Sequence, residues 1–213
     1  MARKQGQRAV CQNNLRQQHV ACSMYIDDFE GYFPCTEQIN AYLWGGKNGT
    51  ELGSAGANRF LNPYICKEGE VTTKSTDKQL EVFKCPGDRG NMAGNWPTRM
   101  PSVWDCTGSS YLPNFTANTN NIAANGLWQK KIIQVRNSSS LIMVREFSFM
   151  AFFRSPEGSY GGVPFGYFYW HKNNYNGWGN VTFVDGHTEY LQATQDKPDY
   201  QNGDGWTFIV NKK

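Results

Sequence analysis

The side chains able to do chemistry are few, and the most suggestive stand late in the chain. Of three histidines, His171 and His187 flank the pair Asp185-Gly186, which offers two imidazoles and a carboxylate, all metal-capable groups. An Asp-Gly pair is also what a tight β-turn selects for backbone reasons, and a histidine beside such a turn serves equally as a surface or cross-strand residue. Six cysteines, at positions 11, 22, 35, 66, 85 and 106, allow about fifteen pairings. No Cys-x-x-Cys spacing points to zinc or thioredoxin chemistry, so disulfides in an oxidising compartment are the better expectation. Cys66 and Cys85 bracket a short polar segment and form the preferred bridge. Cys11 and Cys22 lie about 16 Å apart along one helix, too far to pair with each other, and fit equally as buried core thiols. Neither Gly-x-Ser-x-Gly, His-Glu-x-x-His nor a Walker loop occurs. The sequence therefore nominates no catalytic and no cofactor-binding residue, and the expectation is a protein that is not an enzyme.

The elements that must carry these groups start with one long helix, Ala2 to about Phe29. Cys11, Leu15, Cys22, Tyr25 or Ile26, and Phe29 recur in steps of three and four, a stripe broken only at Gln18. Arg3, Lys4 and Arg8 crowd the end where the helix dipole is positive, no acidic residue precedes Asp27, and no capping side chain stands ready. The simplest account of such a start is a native helix that continues upstream. Gly31 is a plausible C-cap, and Pro34 prevents resumption. Short helical pieces are expected at Gln38 to Leu43 and Ala57 to Leu61, and a short strand at Ser109 to Asn114. Lys131 to Arg136 and Ser140 to Phe147 read as β-rich runs, the second apolar on successive residues and hence central. Gly179 to Leu191 reads as a hairpin turning on Asp185-Gly186 in a type I′ turn. Trp206 to Val210 reads as a last strand.

Several of these residues resemble a known family. Cys11, Asn14 and Leu15, followed by Tyr25, Asp28, Gly31, Phe33 and Pro34, are similar to the soluble start of type II secretion-like pseudopilins. More narrowly, they resemble the group with a prepilin-type cleavage and methylation motif followed by an H-X9-DG domain. Cys85-Pro86-Gly87-Asp88 resembles that group's Cys-Pro-x-Asp motif. There proline fixes φ, and the aspartate can bond neighbouring amides to hold a turn. Asn180 to His187 resembles the signature itself, with His171, Asp185, Gly186 and His187 as its marked positions. Thirteen residues separate His171 from Asp185, an enlarged loop that takes His171 off the signature's spacing.

The resemblance implies an α+β, type IV pilin-like fold: a long N-terminal helix packed on an antiparallel β-sheet, with a large loop-rich insertion. The chain would form a single soluble domain over 1–213, with the helix in 1–30, the insertion in 31–130 and the sheet mainly in 131–213. It further implies other pseudopilin subunits as partners, a membrane reached through a missing upstream helix, and a prepilin peptidase acting on the precursor. The place would be the bacterial cell envelope, inner-membrane anchored with the soluble part periplasmic or extracellular. Major pseudopilins carry calcium in a C-terminal loop, and the positions that would serve here are Asp196, Asp199, Asn202 and Asp204, oxygen donors suited to that ion. An ordinary solvated loop is the competing reading, with no cofactor at all.

Composition agrees with a loop-rich, β-containing, exported protein: 39% hydrophobic and 15% aromatic residues against 18% charged, with 22 glycines. A net charge of +3 gives no reason to invoke nucleic acid. The alternative to a structural subunit is a secreted carbohydrate-binding module that uses Tyr167, Tyr169, Trp170, Trp178 or Trp206 as a stacking platform.

Overall fold

The computed structural model describes residues 2–34, 43–49, 59–66, 78–88, 102–114, 126–154, 159–160, 163–164, 170–171, 177–193, 205–208 and 210. Its first element, α1 (Ala2–Asp28, 27 residues), buries Cys11, Asn14, Leu15, Gln18, Ala21, Cys22, Tyr25 and Ile26, the three-and-four spacing of one helical face. Gln18 does not break this stripe. Its Nε2 donates to the Val82 carbonyl at 2.9 Å and its Oε1 accepts from Trp44 Nε1 at 2.9 Å, so the buried amide is paired at both ends. Asn14 Nδ2 likewise donates to the Lys84 carbonyl at 3.0 Å. Those carbonyls lie at the end of a 3-10 turn, Lys78–Phe83, where helical carbonyls lack partners of their own. Two amides of α1 thus fasten the turn that leads to Cys85.

The helix closes one residue earlier than its glycine suggests. Glu30 has φ 52° and Gly31 φ 84°, and the Gly31 amide donates to the Ile26 carbonyl at 2.8 Å, the six-to-one bond of a Schellman closure. Phe29 is consequently off the buried stripe: it is half exposed and stacks on Tyr25 with centroids 4.1 Å apart.

After α2 (Asn62–Ile65) and α3 (Val103–Thr107) come β1 (Tyr111–Pro113), β2 (Ile142–Glu146), α4 (Phe147–Arg154), β3 (Ser159–Tyr160), β4 (Val163–Pro164), β5 (Trp178–Phe183) and β6 (Thr188–Gln192). β1, β2, β5 and β6 form a four-stranded antiparallel sheet in that order, and β3 pairs with β4. The molecule is therefore α+β, with an N-terminal helix and an antiparallel sheet. β2 is internal and all five of its residues are buried, as its run of apolar residues implies. One core joins Cys11, Leu15 and Tyr25 of α1 to Met143 and Val144 of β2, and a second gathers Ile142, Phe149, Val181, Phe183, Trp206 and Phe208.

Several local expectations are corrected. Lys131 to Arg136 is no strand but holds a 3-10 turn at Ile132–Gln134. It pairs with the chain leaving α1, through Phe33 N to Lys130 O at 3.0 Å and Ile132 N to Gly31 O at 2.8 Å, and Ile133 is left exposed. The β5–β6 hairpin exists, but its turn is not type I′, which needs positive φ at both central residues. Gly186 alone has it, at 92°, and the Gly186 amide donates to the Phe183 carbonyl at 3.0 Å. Val184 and Asp185 make an ordinary turn, and Gly186 takes the left-handed position after it. Finally, the described residues of Trp206 to Val210 contribute one parallel bridge, Leu141 to Thr207, rather than a strand. The piece expected at Gln38 to Leu43 lies almost wholly outside the described residues, as do Ala57 and Asn58, and Tyr167 and Tyr169 of the aromatic run, while Arg59 to Leu61 form a turn leading into α2 rather than the expected helical piece.

Candidate functional site

Four elements deliver one chemical group each to a single buried point. α1 brings Cys11, the turn after Lys78–Phe83 brings Cys85, the last residue of β2 brings Glu146, and the segment before β5 brings His171. One ligand atom from each lies within 4.8 Å of all the others, and all four residues are buried. His171 Nε2 is 2.8 Å from Glu146 Oε1 and 3.3 Å from Cys85 Sγ, and Cys85 Sγ is 3.7 Å from Glu146 Oε1. Among the described residues no other group of His, Cys, Asp or Glu gathers in this way.

The surrounding backbone fixes each member. Asn180, in β5, donates its main-chain N–H to Glu146 Oε2 at 3.0 Å and its side-chain amide to Oε1 at 2.7 Å. The β2–β5 register, with Arg145 opposite Val181, brings that pair together. The Gly87 amide donates to Cys85 Sγ at 3.3 Å. A Cβ on Gly87 would stand 2.9 Å from Trp170 Cβ and 3.0 Å from His171 Cε1, so glycine in Cys85-Pro86-Gly87-Asp88 is what lets His171 approach. His171 Nδ1 is buried with no hydrogen-bond partner.

Burial works most strongly against charge on His171, yet the Glu146 carboxylate and Cys11 together outweigh it and lift the imidazole to about 10. Burial equally opposes ionisation of Glu146, but His171 and Asn180 hold it below the usual carboxylate range. The two thiols part company. Burial, Cys11 and Glu146 push Cys85 well up, whereas for Cys11 burial is outweighed by hydrogen bonds with Cys85 and His171, and its value falls. The group is a buried ion pair beside two thiols. A thiolate nucleophile needs access to its substrate, and both cysteines are fully buried. The donor set suits a metal, or a sulfur–sulfur bond, better than attack on a substrate.

The other residues singled out by sequence fall elsewhere. Asn14 and Leu15 belong to the α1 core contacts, and the Pro86 carbonyl accepts from Gln7 Nε2 at 2.8 Å. Among the described residues, the Asp88 side chain reaches partners distant in the chain. It accepts from the amides of Val103 and Trp104, at 3.2 and 2.9 Å, and from Ser110 Oγ at 2.7 Å, tying down the start of α3. Burial raises it to about 6. Asp185 and His187 bind each other at the hairpin turn, Oδ1 to Nδ1 at 2.5 Å, and are partly exposed. Gly186 packs that turn against His19 of α1, where a Cβ would come within 2.8 Å of the ring. Neither Asp185 nor His187 joins His171.

The expected Cys66–Cys85 bridge is not made: Cys85 is a thiol whose sulfur turns into the four-residue cluster instead. Asp196, Asp199, Asn202 and Asp204, the calcium candidates, lie outside the described residues. Of the proposed stacking platform, Trp170 and Trp206 are buried in the core, at 3% and 4% exposure, and Trp178 stacks on Tyr190.

Sequence reasoning missed the cluster as a cluster. The sequence leaves Cys11 open between a disulfide and a core thiol, sets Glu146 at the end of an apolar run with no partner in view, and offers no Cys-His pair that neighbouring residues join. The available signal was Glu146 itself, a carboxylate closing a strand buried on both faces, which requires a partner. Compared with known proteins, the chain matches no family model, no curated protein and no solved structure.

Proposed function

We propose that this chain is a structural subunit of a pseudopilin-like assembly in the bacterial cell envelope, working by packing rather than turnover. The observation that supports this reading is α1. Its inner face is laid on the sheet and on the Lys78–Phe83 turn, while Val10, Val20 and Met24 remain 50%, 58% and 48% exposed along it. At 100° per residue these three fall within one side of the helix. Exposed aliphatic side chains aligned on an otherwise polar helix are what side-by-side helix packing in a fibre uses. The pilin-like fold, the envelope location, and other subunits and a prepilin peptidase as partners belong to this reading, together with the resemblance of Cys11, Asn14, Leu15, Asp185, Gly186 and His187 to the family's motifs.

The test is crosslinking in cells that make the protein from its own gene. Cysteine is introduced by Val20→Cys or Met24→Cys on the exposed side of α1. Oxidation should give a covalent dimer that is absent from the unmodified protein, whose Cys11 and Cys22 are buried. Monomer alone at both positions overturns the reading.

A further inference from the structure

We propose that Cys11, Cys85, Glu146 and His171 form a structural zinc site that staples α1 to the sheet. Two thiolates, an imidazole and a carboxylate are the donors zinc takes, and four protein ligands with no open position mark a structural rather than a catalytic centre. Tetrahedral zinc, with bonds of about 2.3 Å to sulfur and about 2.0 Å to nitrogen and oxygen, sets neighbouring donor atoms roughly 3.3–3.8 Å apart. The separations found are 3.3 Å for Cys85 Sγ to His171 Nε2, 3.7 Å for Cys85 Sγ to Glu146 Oε1 and 2.8 Å for His171 Nε2 to Glu146 Oε1. Of these three the last must open, by about half an ångström, to admit the ion, and Cys11 Sγ lies within 4.8 Å of each of the other donors.

The surroundings match a ligand set as well as the atoms do. Asn180 grips Glu146 through two hydrogen bonds and the Gly87 amide points at Cys85 Sγ, the kind of outer contacts that orient ligands and tune them. On binding, Zn²⁺ takes the place of the protons on both thiols and of the proton shared between His171 and Glu146, and these leave to solvent. The ligands come from α1, a loop, β2 and the approach to β5, so one ion ties together elements that no covalent bond joins among the described residues.

The experiment uses the whole chain purified in reducing buffer, with metal content measured by plasma mass spectrometry and with Co²⁺ as a spectroscopic substitute. The expected results are one zinc per chain, a fall in Tm on removing it with a chelator, and thiolate-to-cobalt charge-transfer bands with tetrahedral visible bands in the Co²⁺ form. Cys85→Ser should lose the charge-transfer intensity of one thiolate. Glu146→Gln should weaken zinc binding by at least tenfold, and His187→Ala should leave it unchanged. Should Cys85→Ser fail to fold, the Co²⁺ spectrum and the chelator-dependent Tm of the unmodified chain decide. Zinc well below one per chain with no cobalt charge transfer overturns the proposal. So do a Cys11–Cys85 disulfide in place of metal, found by peptide mapping of chain isolated without reductant and with its free thiols alkylated, and a cobalt spectrum unaltered by Cys85→Ser. None of these readouts bears on whether subunits crosslink through Val20.

Discussion

Gln18 shows how a polar residue on an apolar stripe can hold a fold rather than interrupt it. Its two ends are spent on Val82 and Trp44, and a buried donor or acceptor stripped of its partner costs about 1–3 kcal/mol. Gln18→Leu should therefore lower stability by roughly that amount despite adding apolar surface, a loss read directly from urea unfolding. An unchanged midpoint would show that the amide is dispensable. Asp105 gives a pH-dependent counterpart. Burial raises its value, but Lys47 at 2.5 Å and Ser102 pull it below the ordinary aspartate value of 3.8. The folded state thus holds the carboxylate charged where the unfolded chain would take up a proton. Its contribution is complete above pH 3.8 and fades as pH falls through the lower folded value. The stability gap between the unmodified chain and Asp105→Asn should shrink on acidification, measured by denaturation at a series of pH values. A gap that widens instead would contradict the ion pair's role.

Among the elements, the end of α1 carries a conformational cost that a single substitution can relieve. Glu30 is exposed and left-handed at φ 52°, a region that costs an ordinary residue about 1–2 kcal/mol. Glycine pays no such penalty but gives back about 0.5–1 kcal/mol in chain entropy. Glu30→Gly should accordingly raise stability by a few tenths to about 1 kcal/mol, seen as a higher Tm with an unchanged circular dichroism spectrum. A drop in Tm would mean that the side chain makes a contact worth more than the strain. The 3-10 turn at Ile132–Gln134 teaches a related lesson about local pattern. Lys131 to Arg136 has β-branched residues in number, and propensity alone favours a strand. A strand also needs an edge to pair with, and here the nearest backbone belongs to Gly31 and Phe33, which offer single bonds rather than a ladder.

At the scale of the whole molecule, the sheet is an internal layer: α1 and its neighbours cover one side, and Phe149, Trp206 and Phe208 sit in the core on the other. That arrangement explains why β2 tolerates no exposed residue and why its terminal charge, Glu146, must be met by His171 and Asn180. The sequence by itself determined α1 nearly to the residue, β2 as a central strand and the β5–β6 hairpin, because helical periodicity, an apolar run and an Asp-Gly turn are signals written within a dozen or so neighbouring residues. It did not determine the turn's type, since Gly186 alone takes positive φ and the Val184 carbonyl is held by His19 of α1 at 3.1 Å. Nor could it reveal the meeting of Cys11, Cys85, Glu146 and His171. Their proximity depends on where α1 lies on the sheet, on strand register and on the missing Cβ of Gly87. Those are consequences of long-range packing, which leaves no periodic trace in the chain.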